Sequence, residues 1–278
     1  MWSSIRNILN KRKWAKWETA PKDLVIFHTF GKAANIPSAS PFVLKLQTYL
    51  RMAQIPHKTD SKHQIGPKGK APWISLNGEH MGDSELIINH LNEHFKVNLN
   101  KGFTPAQLGV ATCARVALEE HCLWGIAMER FIFNPTQFPK VVGVGPLYDK
   151  ILMTVGGHFV SKRSKGQGIG LHSQQEIEHL CIKDLRAVSD IIGKNDFLLG
   201  SGPCQDDCAI FGILAVTLWG QPNSPYEKLL RDDLHNLRDY CIRMRDIYFP
   251  DWEKCIRPTS SSISRGGANN TNKIKAKL

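Results

Sequence analysis

The stretch Gly69-Lys70-Ala71-Pro72-Trp73-Ile74-Ser75-Leu76 places a proline directly before a short β-prone run. Its second half predicts a strand, Asn77-Gly78 is typical of a hairpin turn, and Glu79–Met81 predicts the returning strand. A proline at such a strand entry is a candidate for a cis peptide bond, which would aim the backbone of Ala71 into a cleft. The stretch therefore predicts a β-hairpin that borders a cleft.

Elements on both sides of this hairpin complete an α/β unit. Upstream, the apolar run Leu24–Phe30 predicts a buried strand. Ser40-Pro41 opens a helix that Pro56 ends: serine supplies an N-cap oxygen, and the missing N–H of proline would be unpaired in the first turn anyway. A second strand follows over His57–Asp60, and Ser84–Phe95 predicts a helix with an apolar face. The resulting order is β-α-β-loop-β-β-α.

From Thr104 onward the strand signals fade and helical patterns replace them. Thr104-Pro105 repeats the N-cap and first-turn proline, and opens a helix that extends to about Phe133. Further helices are predicted over residues 147–160, 173–192, 206–219 and 226–248. We therefore divide the chain into a basic leader over 1–22, an α/β domain over 23–96, an all-α domain over 104–256 and a basic tail over 257–278. The tail is rich in Ser, Gly, Asn and Lys, a composition typical of disorder.

The net charge of +11 is concentrated at the two ends of this 278-residue chain. Residues 1–17 contain five Lys or Arg and no acid, and residues 257–278 contain another five and no acid. The body between them therefore carries only +1. This distribution predicts no basic binding face, and nucleic acid is not the expected partner. The seven cysteines form no Cys-x-x-Cys pair, which favours reduced thiols in a reducing compartment.

The leader and the tail suggest competing locations. Residues 1–17 carry bases beside an apolar stripe of Trp2, Ile5, Ile8 and Leu9. This pattern fits a short helix on an anionic membrane surface, a mitochondrial-type presequence or a charged segment without structure. The final Ala276-Lys277-Leu278 resembles the Ser-Lys-Leu peroxisomal address. A cytoplasmic protein is the default expectation, with membrane association through the leader and peroxisomal import as alternatives.

Two helix starts in the α/β unit carry the candidate binding chemistry. Ser40 stands at one, where free N–H groups and the helix dipole stabilise a thiolate of the protein or of a ligand. Asp83 and Ser84 stand at the other and suit the charged end of a small amino-acid-like ligand. Plain helix caps are the alternative for all three, and Ser38 is a further candidate for the same cleft.

Glu119-Glu120-His121 in the long helix suggests a metal site. No second pair of ligands stands at a suitable spacing, so a solvated helix face and no bound metal are expected.

The block from Leu24 to Phe95 resembles the thioredoxin-like domain of glutathione transferases. There the first strand, the loop nucleophile, the proline strand entry and the acidic-Ser helix start build one glutathione site. The resemblance implies an α/β thioredoxin-like N-terminal domain plus an all-α C-terminal domain, with glutathione as ligand or cosubstrate and a homodimer by analogy. It implies a glutathione site made of Ser38, Ser40, Ala71, Pro72, Asp83 and Ser84.

Three details qualify this resemblance. Ser40-Pro41-Phe42-Val43 sits where glutaredoxins carry Cys-Pro-x-Cys, so both redox cysteines are absent. A serine at the first position is what serine-type transferases use to hold the glutathione thiolate, whereas the first-strand tyrosine of many transferases is missing from Phe27-His28-Thr29-Phe30. Asp206-Asp207-Cys208-Ala209 resembles the Ser/Thr-x-x-Asp box of the second domain, with Cys204 in place of the capping hydroxyl.

The chain most specifically resembles the failed axon connections family, the metaxin-like branch of the transferase superfamily. The similarity rests on five motifs: Ile36–Phe42, Leu46–Ala53, Gly69–Ile74, Val97–Lys101 and Gly166–Gly170. It implies an interaction protein with a developmental, axon-related role that keeps glutathione affinity and has unidentified protein partners. The alternative is a serine-type transferase that conjugates glutathione to small electrophiles, with Ser40 as its catalytic residue. The residues leave enzymatic activity undecided.

Overall fold

The computed structural model describes residues 17–143 and 145–257. Its N-terminal half contains a four-stranded sheet in the order β2-β1-β3-β4. The strands are β1 (Val25–His28), β2 (His57–Asp60), β3 (Trp73–Leu76) and β4 (Glu79–Gly82). β2 is parallel to β1, while β3 is antiparallel to both β1 and β4. Two helices complete this half: α1 (Pro41–Met52) and α2 (Ser84–Phe95). The predicted β-α-β-loop-β-β-α order and the hairpin are confirmed.

Successive side chains of β1 point to opposite faces of the sheet, and the two faces have different surroundings. Val25 and Phe27 join one apolar cluster with Leu46 and Tyr49 of α1 and Ile87 of α2. His28 points to the other face, where it is fully buried and stacks on the indole of Trp73 with ring centroids 3.6 Å apart. One face of the sheet is therefore a hydrocarbon core, and the other face carries a polar network.

The second half is helical. Its elements are α3 (Pro105–Val116), α4 (Leu123–Met128), α5 (Phe138–Val142), α6 (Pro146–Gln167), α7 (Gln174–Ile192), α8 (Asp207–Gly220), α9 (Pro225–Asp232), α10 (His235–Tyr248) and α11 (Trp252–Cys255). The predicted helix to Phe133 is continuous, but two π-helical turns, Ala117–Cys122 and Glu129–Phe133, interrupt its regular winding. The single helix expected over 226–248 is wrong, because α9 ends at Asp232 and α10 begins at His235.

The two halves meet where α1 crosses α8, and Gly212 permits that crossing. A Cβ at Gly212 would lie 2.6 Å from the Pro41 carbonyl oxygen, so any larger residue would push the helices apart. The start of α8 is fixed by Asp207, whose carboxylate accepts the N–H groups of Cys204 and Leu198 at 2.8 and 2.9 Å and the Tyr240 hydroxyl at 2.9 Å. The expected box therefore works through the backbone of Cys204, without a capping hydroxyl.

The prediction for the leader helix over 1–17, of which only Trp17 is described, and the predictions for the tail beyond Arg257, including Ala276-Lys277-Leu278, lie outside the described residues. Within the described ranges, no helix is both long enough and apolar enough to cross a bilayer.

Candidate functional site

The start of α1 differs in one respect from its prediction. Ser40 is the N-cap residue with extended backbone, and Pro41 follows at the first helical position, as expected. However, the Ser40 hydroxyl makes no capping hydrogen bond, so that part of the prediction is wrong. The turn is held instead by buried Ser38, whose Oγ accepts the Ser40 N–H at 3.2 Å. Ser40 is partly exposed, and its hydroxyl does not cap its own helix.

The proline entry of β3 lies beside the start of α2. The Ala71-Pro72 bond is cis, as expected from the sequence. Trp73, the next residue, pairs with Gly82 of β4, so Pro72 is brought next to the turn that contains Asp83 and Ser84. Pro72 is buried, whereas Ala71 keeps partial exposure. The structure therefore brings four of the six predicted site residues to one edge of the sheet.

Asp83 has a left-handed φ of 93°, which is rare for a residue with a side chain. Its carboxylate accepts the N–H groups of Glu85 and Leu86 at 3.2 and 3.4 Å and so caps α2. The carboxylate is nevertheless exposed, while Ser84 is buried against the sheet. Asp83 thus combines a capping role with a charge that faces outward, on a backbone held in a costly conformation.

A buried ion cluster lies directly behind this helix start. Lys45 of α1 is 3% exposed, and its Nζ donates to Glu85 Oε2 at 2.7 Å and to Glu119 Oε1 at 2.8 Å. Arg115 donates to the other oxygen of Glu119 at 3.0 Å and to Asp206 Oδ1 at 2.8 Å. The cluster joins α1, α2, the long helix and the turn before α8, and it couples the two halves of the chain.

The cluster corrects the prediction for Glu119-Glu120-His121. Glu119 lies in the first π-helical turn, is 7% exposed and forms an ion pair with Lys45 in the interior. His121 faces α7, where its Nδ1 lies 2.6 Å from Asp184 Oδ2. Among the residues that the structure describes, no group of three metal-ligating side chains is assembled. Sequence reasoning missed the cluster because its members come from four separate elements.

The loop after β1 is fastened to the second half by backbone hydrogen bonds. Ala34 N–H donates to the Val141 carbonyl of α5 at 2.9 Å, and the Arg257 N–H donates to the Ala33 carbonyl at 2.8 Å. The Arg257 guanidinium bonds the carbonyls of Lys32 and Gly143 at 3.1 and 2.9 Å and also that of Val142. These bonds hold the loop after β1 directly against residues 141–143 and Arg257.

Arg130 supports the same loop from behind. It lies in the second π-helical turn and is 9% exposed, and its Nη1 donates to the Ala39 carbonyl at 2.8 Å. The guanidinium lies 4.3 Å from the centroid of the Phe138 ring, and its buried Nε and Nη2 have no hydrogen-bond partner among the described residues. Burial lowers the pKa of Arg130 to about 9. This residue therefore fixes the position of the backbone that precedes Ser40.

A polar network occupies the second face of the sheet. His28 Nδ1 lies 2.8 Å from Asp60 Oδ2, and His28 Nε2 lies 2.9 Å from Ser75 Oγ. Because the Asp60 carboxylate accepts, Nδ1 carries the proton and Nε2 accepts the Ser75 hydroxyl. Burial lowers the pKa of His28 to about 4. Ser75 is 1% exposed, so this Ser-His-Asp arrangement has no access for a substrate and serves as a structural network.

Family models match both halves of the chain. The model described as glutathione S-transferase N-terminal domain matches residues 41–137, and that described as glutathione S-transferase, C-terminal domain matches residues 181–244. A β-etherase from Sphingobium sp. strain SYK-6 superposes over 80% of this chain and 94% of its own, with a TM-score of 0.55 and 14% identity. The predicted fold, a thioredoxin-like domain plus a helical domain, is confirmed.

Curated relatives show which named proteins this chain is similar to. Failed axon connections of Drosophila melanogaster is 30% identical over 84% of this chain, and human Metaxin-1 is 26% identical over 84%. The chain spans only 60% and 52% of these two proteins. An isoprene-epoxide–glutathione S-transferase of Rhodococcus sp. (strain AD45) is 28% identical over 81% of this chain and 99% of its own length. The chain therefore has the glutathione transferase fold and is similar to Failed axon connections and Metaxin-1 over most of its own length.

Proposed function

We propose that this protein is a non-catalytic interaction protein that retains a glutathione-binding cleft. The observation that carries the proposal is the fastening of the loop after β1 to α5 and Arg257. In a transferase the electrophile must reach the thiol held at the start of α1, and here direct hydrogen bonds occupy the side of the loop that faces the helical half. The relatives named Failed axon connections and Metaxin-1 support the same reading, since neither name describes an enzyme.

The retained cleft would bind glutathione through the six predicted site residues, four at the sheet edge and two at the start of α1. Asp83 supplies a carboxylate for the α-amino group of the γ-glutamyl end, and Ser84 supplies the helix start for its carboxylate. The Ala71 backbone, presented by Pro72, pairs with the peptide portion. Ser40 lies nearest to the thiol, and Ser38 contributes indirectly by holding the Ser40 N–H. The relation of the fold to glutathione-binding transferases supports this assignment.

A second candidate function is conjugation of glutathione to small electrophiles. One observation favours it: the Ser40 hydroxyl is not used as a cap and is free to hold a thiolate. The similarity to an isoprene-epoxide–glutathione S-transferase points in the same direction.

Calorimetric titration of glutathione into the full chain tests the binding part of the proposal. We expect binding at millimolar glutathione or tighter, and no heat of binding would exclude both the retained cleft and the transferase alternative. Ser40→Ala is expected to bind glutathione with nearly unchanged affinity, because a thiol contact contributes little beside the charged γ-glutamyl end.

The role in the cell is also a proposal. We infer a cytoplasmic, axon-related protein that acts as a homodimer with further protein partners. The name Failed axon connections supports the axon-related role, and the transferase fold supports the homodimer. Peripheral membrane contact through residues 1–17 is tested by flotation with anionic vesicles: it should weaken with salt and disappear when those residues are deleted. Retention after the deletion would exclude the leader as anchor.

Peroxisomal import is the alternative location. Loss of import on removal of the last three residues would support it.

A further inference from the structure

One edge of the Arg130 guanidinium has no partner, although the side chain is only 9% exposed. Nη1 donates to the Ala39 carbonyl, whereas the buried Nε and Nη2 make no hydrogen bond to any described residue. Nε and Nη2 together carry two parallel N–H groups, the fork that fits the two oxygens of a carboxylate. Buried donors on a buried charge are costly without an acceptor, so this edge is expected to meet one from outside the chain.

The unpartnered edge lies at a small cavity between the second π-helical turn, α5 and the end of α8. Gly220 lines this cavity, and a Cβ added there would lie 3.8 Å from Nη2 of Arg130. Gln221 lines it as well and is 5% exposed. Its Nε2 donates to the Ile126 carbonyl at 2.7 Å, while its buried Oε1 has no partner among the described residues. The cavity therefore presents two donors on a cation and one acceptor.

The chain supplies no acid that neutralises Arg130. Residues 1–16, 144 and 258–278 contain no Asp or Glu, so every acidic side chain lies within the described ranges. Glu129 lines the cavity but makes no ion pair with Arg130; burial and then Glu178 raise the pKa of its carboxyl. Burial is the cause that lowers the pKa of Arg130 to about 9, and no neighbouring carboxylate opposes it. Arg130 therefore stays cationic at pH 7 and lacks a counter-charge.

We propose that this cavity binds a small carboxylate with a hydrogen-bond donor on the neighbouring carbon, an α-hydroxy or α-amino acid. The carboxylate accepts from Nε and Nη2 of Arg130, and the hydroxyl or ammonium group donates to Oε1 of Gln221. The cavity is open to the surface, and its enclosed part is about the size of one water. The ligand is therefore small, and its remainder lies at the mouth. A water would satisfy the same hydrogen bonds but would leave the buried charge unpaired.

This carboxylate site is separate from the glutathione cleft, with which it shares no residue. The two are nevertheless connected, because Arg130 also holds the Ala39 carbonyl directly before Ser40. A carboxylate that fixes the guanidinium therefore also fixes the backbone at the start of α1. The carboxylate site does not depend on the proposed function, since it is expected whether or not the protein conjugates glutathione.

Isothermal titration of the full chain at constant ionic strength tests the carboxylate site with glycolate, glycine, acetate and glycolamide as probes. Glycolate or glycine should bind about fivefold more tightly than acetate, which lacks the donor for Gln221. Glycolamide, which lacks the negative charge, should not bind. The stronger of glycolate and glycine identifies the donor as hydroxyl or ammonium. No binding of any carboxylate, equal affinity for acetate and glycolate, or an equal effect of chloride would overturn the proposal.

Two variants locate the bound probe. Arg130→Gln removes the fork and its charge and should weaken the binding of the stronger probe about tenfold or more. Gly220→Ala places a methyl group beside Nη2, at least 3.7 Å from every neighbouring atom, so the variant should fold and bind the probe more weakly. Gly109→Ala is the matched control, because its methyl group would meet no atom within 4 Å on the exposed side of α3, and it should bind as wild type does. Wild-type affinity in a folded Arg130→Gln or in Gly220→Ala would overturn the proposal.

Asp83→Asn separates this site from the glutathione cleft. The variant should bind the probe with wild-type affinity, because Asp83 does not line the cavity at Arg130. Loss of probe binding in Asp83→Asn would place the small carboxylate in the glutathione cleft and would contradict a second site.

Discussion

Lys45 of α1 donates from Nζ to Glu119 Oε1 of the long helix at 2.8 Å, and both side chains are almost completely buried. The contact joins the thioredoxin-like half to the helical half immediately behind the start of α2. A buried pair of this kind seldom adds much net stability, but the loss of one partner leaves a desolvated charge. Lys45 therefore links the start of α2, through Glu85, to the packing of the two halves.

Lys45→Met should lower the free energy of unfolding by about 3 kcal/mol, because Glu85 and Glu119 would lose their shared cation while Glu119 stays buried. Urea denaturation at pH 7 measures the change. Arg186→Met is the matched control, since Arg186 pairs with Asp233 at 3.4 Å on an exposed surface, and it should cost at most about 1 kcal/mol. Equal losses in the two variants would show that Lys45 is not a buried linking residue.

The sequence predicted the fold well because its signals are local. The strand at Trp73–Leu76, the Asn77-Gly78 turn and the helix starts at Thr104 and Ser173 each depend on residues within a few positions, and the structure contains all of them. Both of those helix starts form complete capping boxes. The break between α9 and α10 was missed because neither glycine nor proline marks it.

The site was only partly predictable because most of it depends on distant contacts. The cis bond before Pro72 and the cap at Asp83 follow from neighbouring residues. The partners of Lys45 stand 40 and 74 positions away, and Arg257 is more than 220 positions from Lys32. No rule based on sequence spacing predicts contacts between residues that stand so far apart in the chain. Two π-helical turns, which carry Glu119 and Arg130 inward, also have no reliable sequence signal.

Acid should destabilise the protein through His28. Burial lowers the pKa of His28 to about 4 against 6.5 in an unfolded chain, although Asp60 partly opposes the shift. Between pH 6.5 and pH 4, His28 is therefore protonated in the unfolded state but not in the folded state. The free energy of unfolding falls over this range, by roughly 3 kcal/mol for this group.

The measurement is the urea midpoint at several pH values in that window. His28→Phe keeps the stack on Trp73 and should flatten this dependence, whereas His179→Phe, at an exposed position on α7, should not. An unaltered pH profile in His28→Phe would assign the acid sensitivity to other groups.

The closed loop after β1 should open when Arg257 is shortened. Arg257→Ala removes the guanidinium contacts to Lys32, Val142 and Gly143, so the Ala34 N–H, which donates to Val141, should exchange with deuterium several-fold faster. Hydrogen-exchange mass spectrometry of the peptide over 31–37 measures this, with the peptide over 73–76 as internal control. Unchanged exchange would mean that Arg257 does not hold the loop.

Asp83→Asn should weaken glutathione binding about tenfold, equivalent to roughly 1.4 kcal/mol, because it removes the negative charge offered to the ligand's amino group. Asparagine caps a helix as well as aspartate does, so the melting temperature should stay nearly constant. Asp190→Asn, an exposed substitution on α7, is the control for a change of net charge. Wild-type affinity in Asp83→Asn would remove Asp83 from the site.

The most direct measurement is glutathione conjugation by the purified full chain, with saturating glutathione and two electrophiles, a small epoxide and an activated aryl halide. A non-catalytic protein should give the uncatalysed rate, identical for wild type and Ser40→Ala, even where calorimetry detects bound glutathione. A rate well above background that falls by tenfold or more in Ser40→Ala would contradict the non-catalytic role and establish a serine-type transferase.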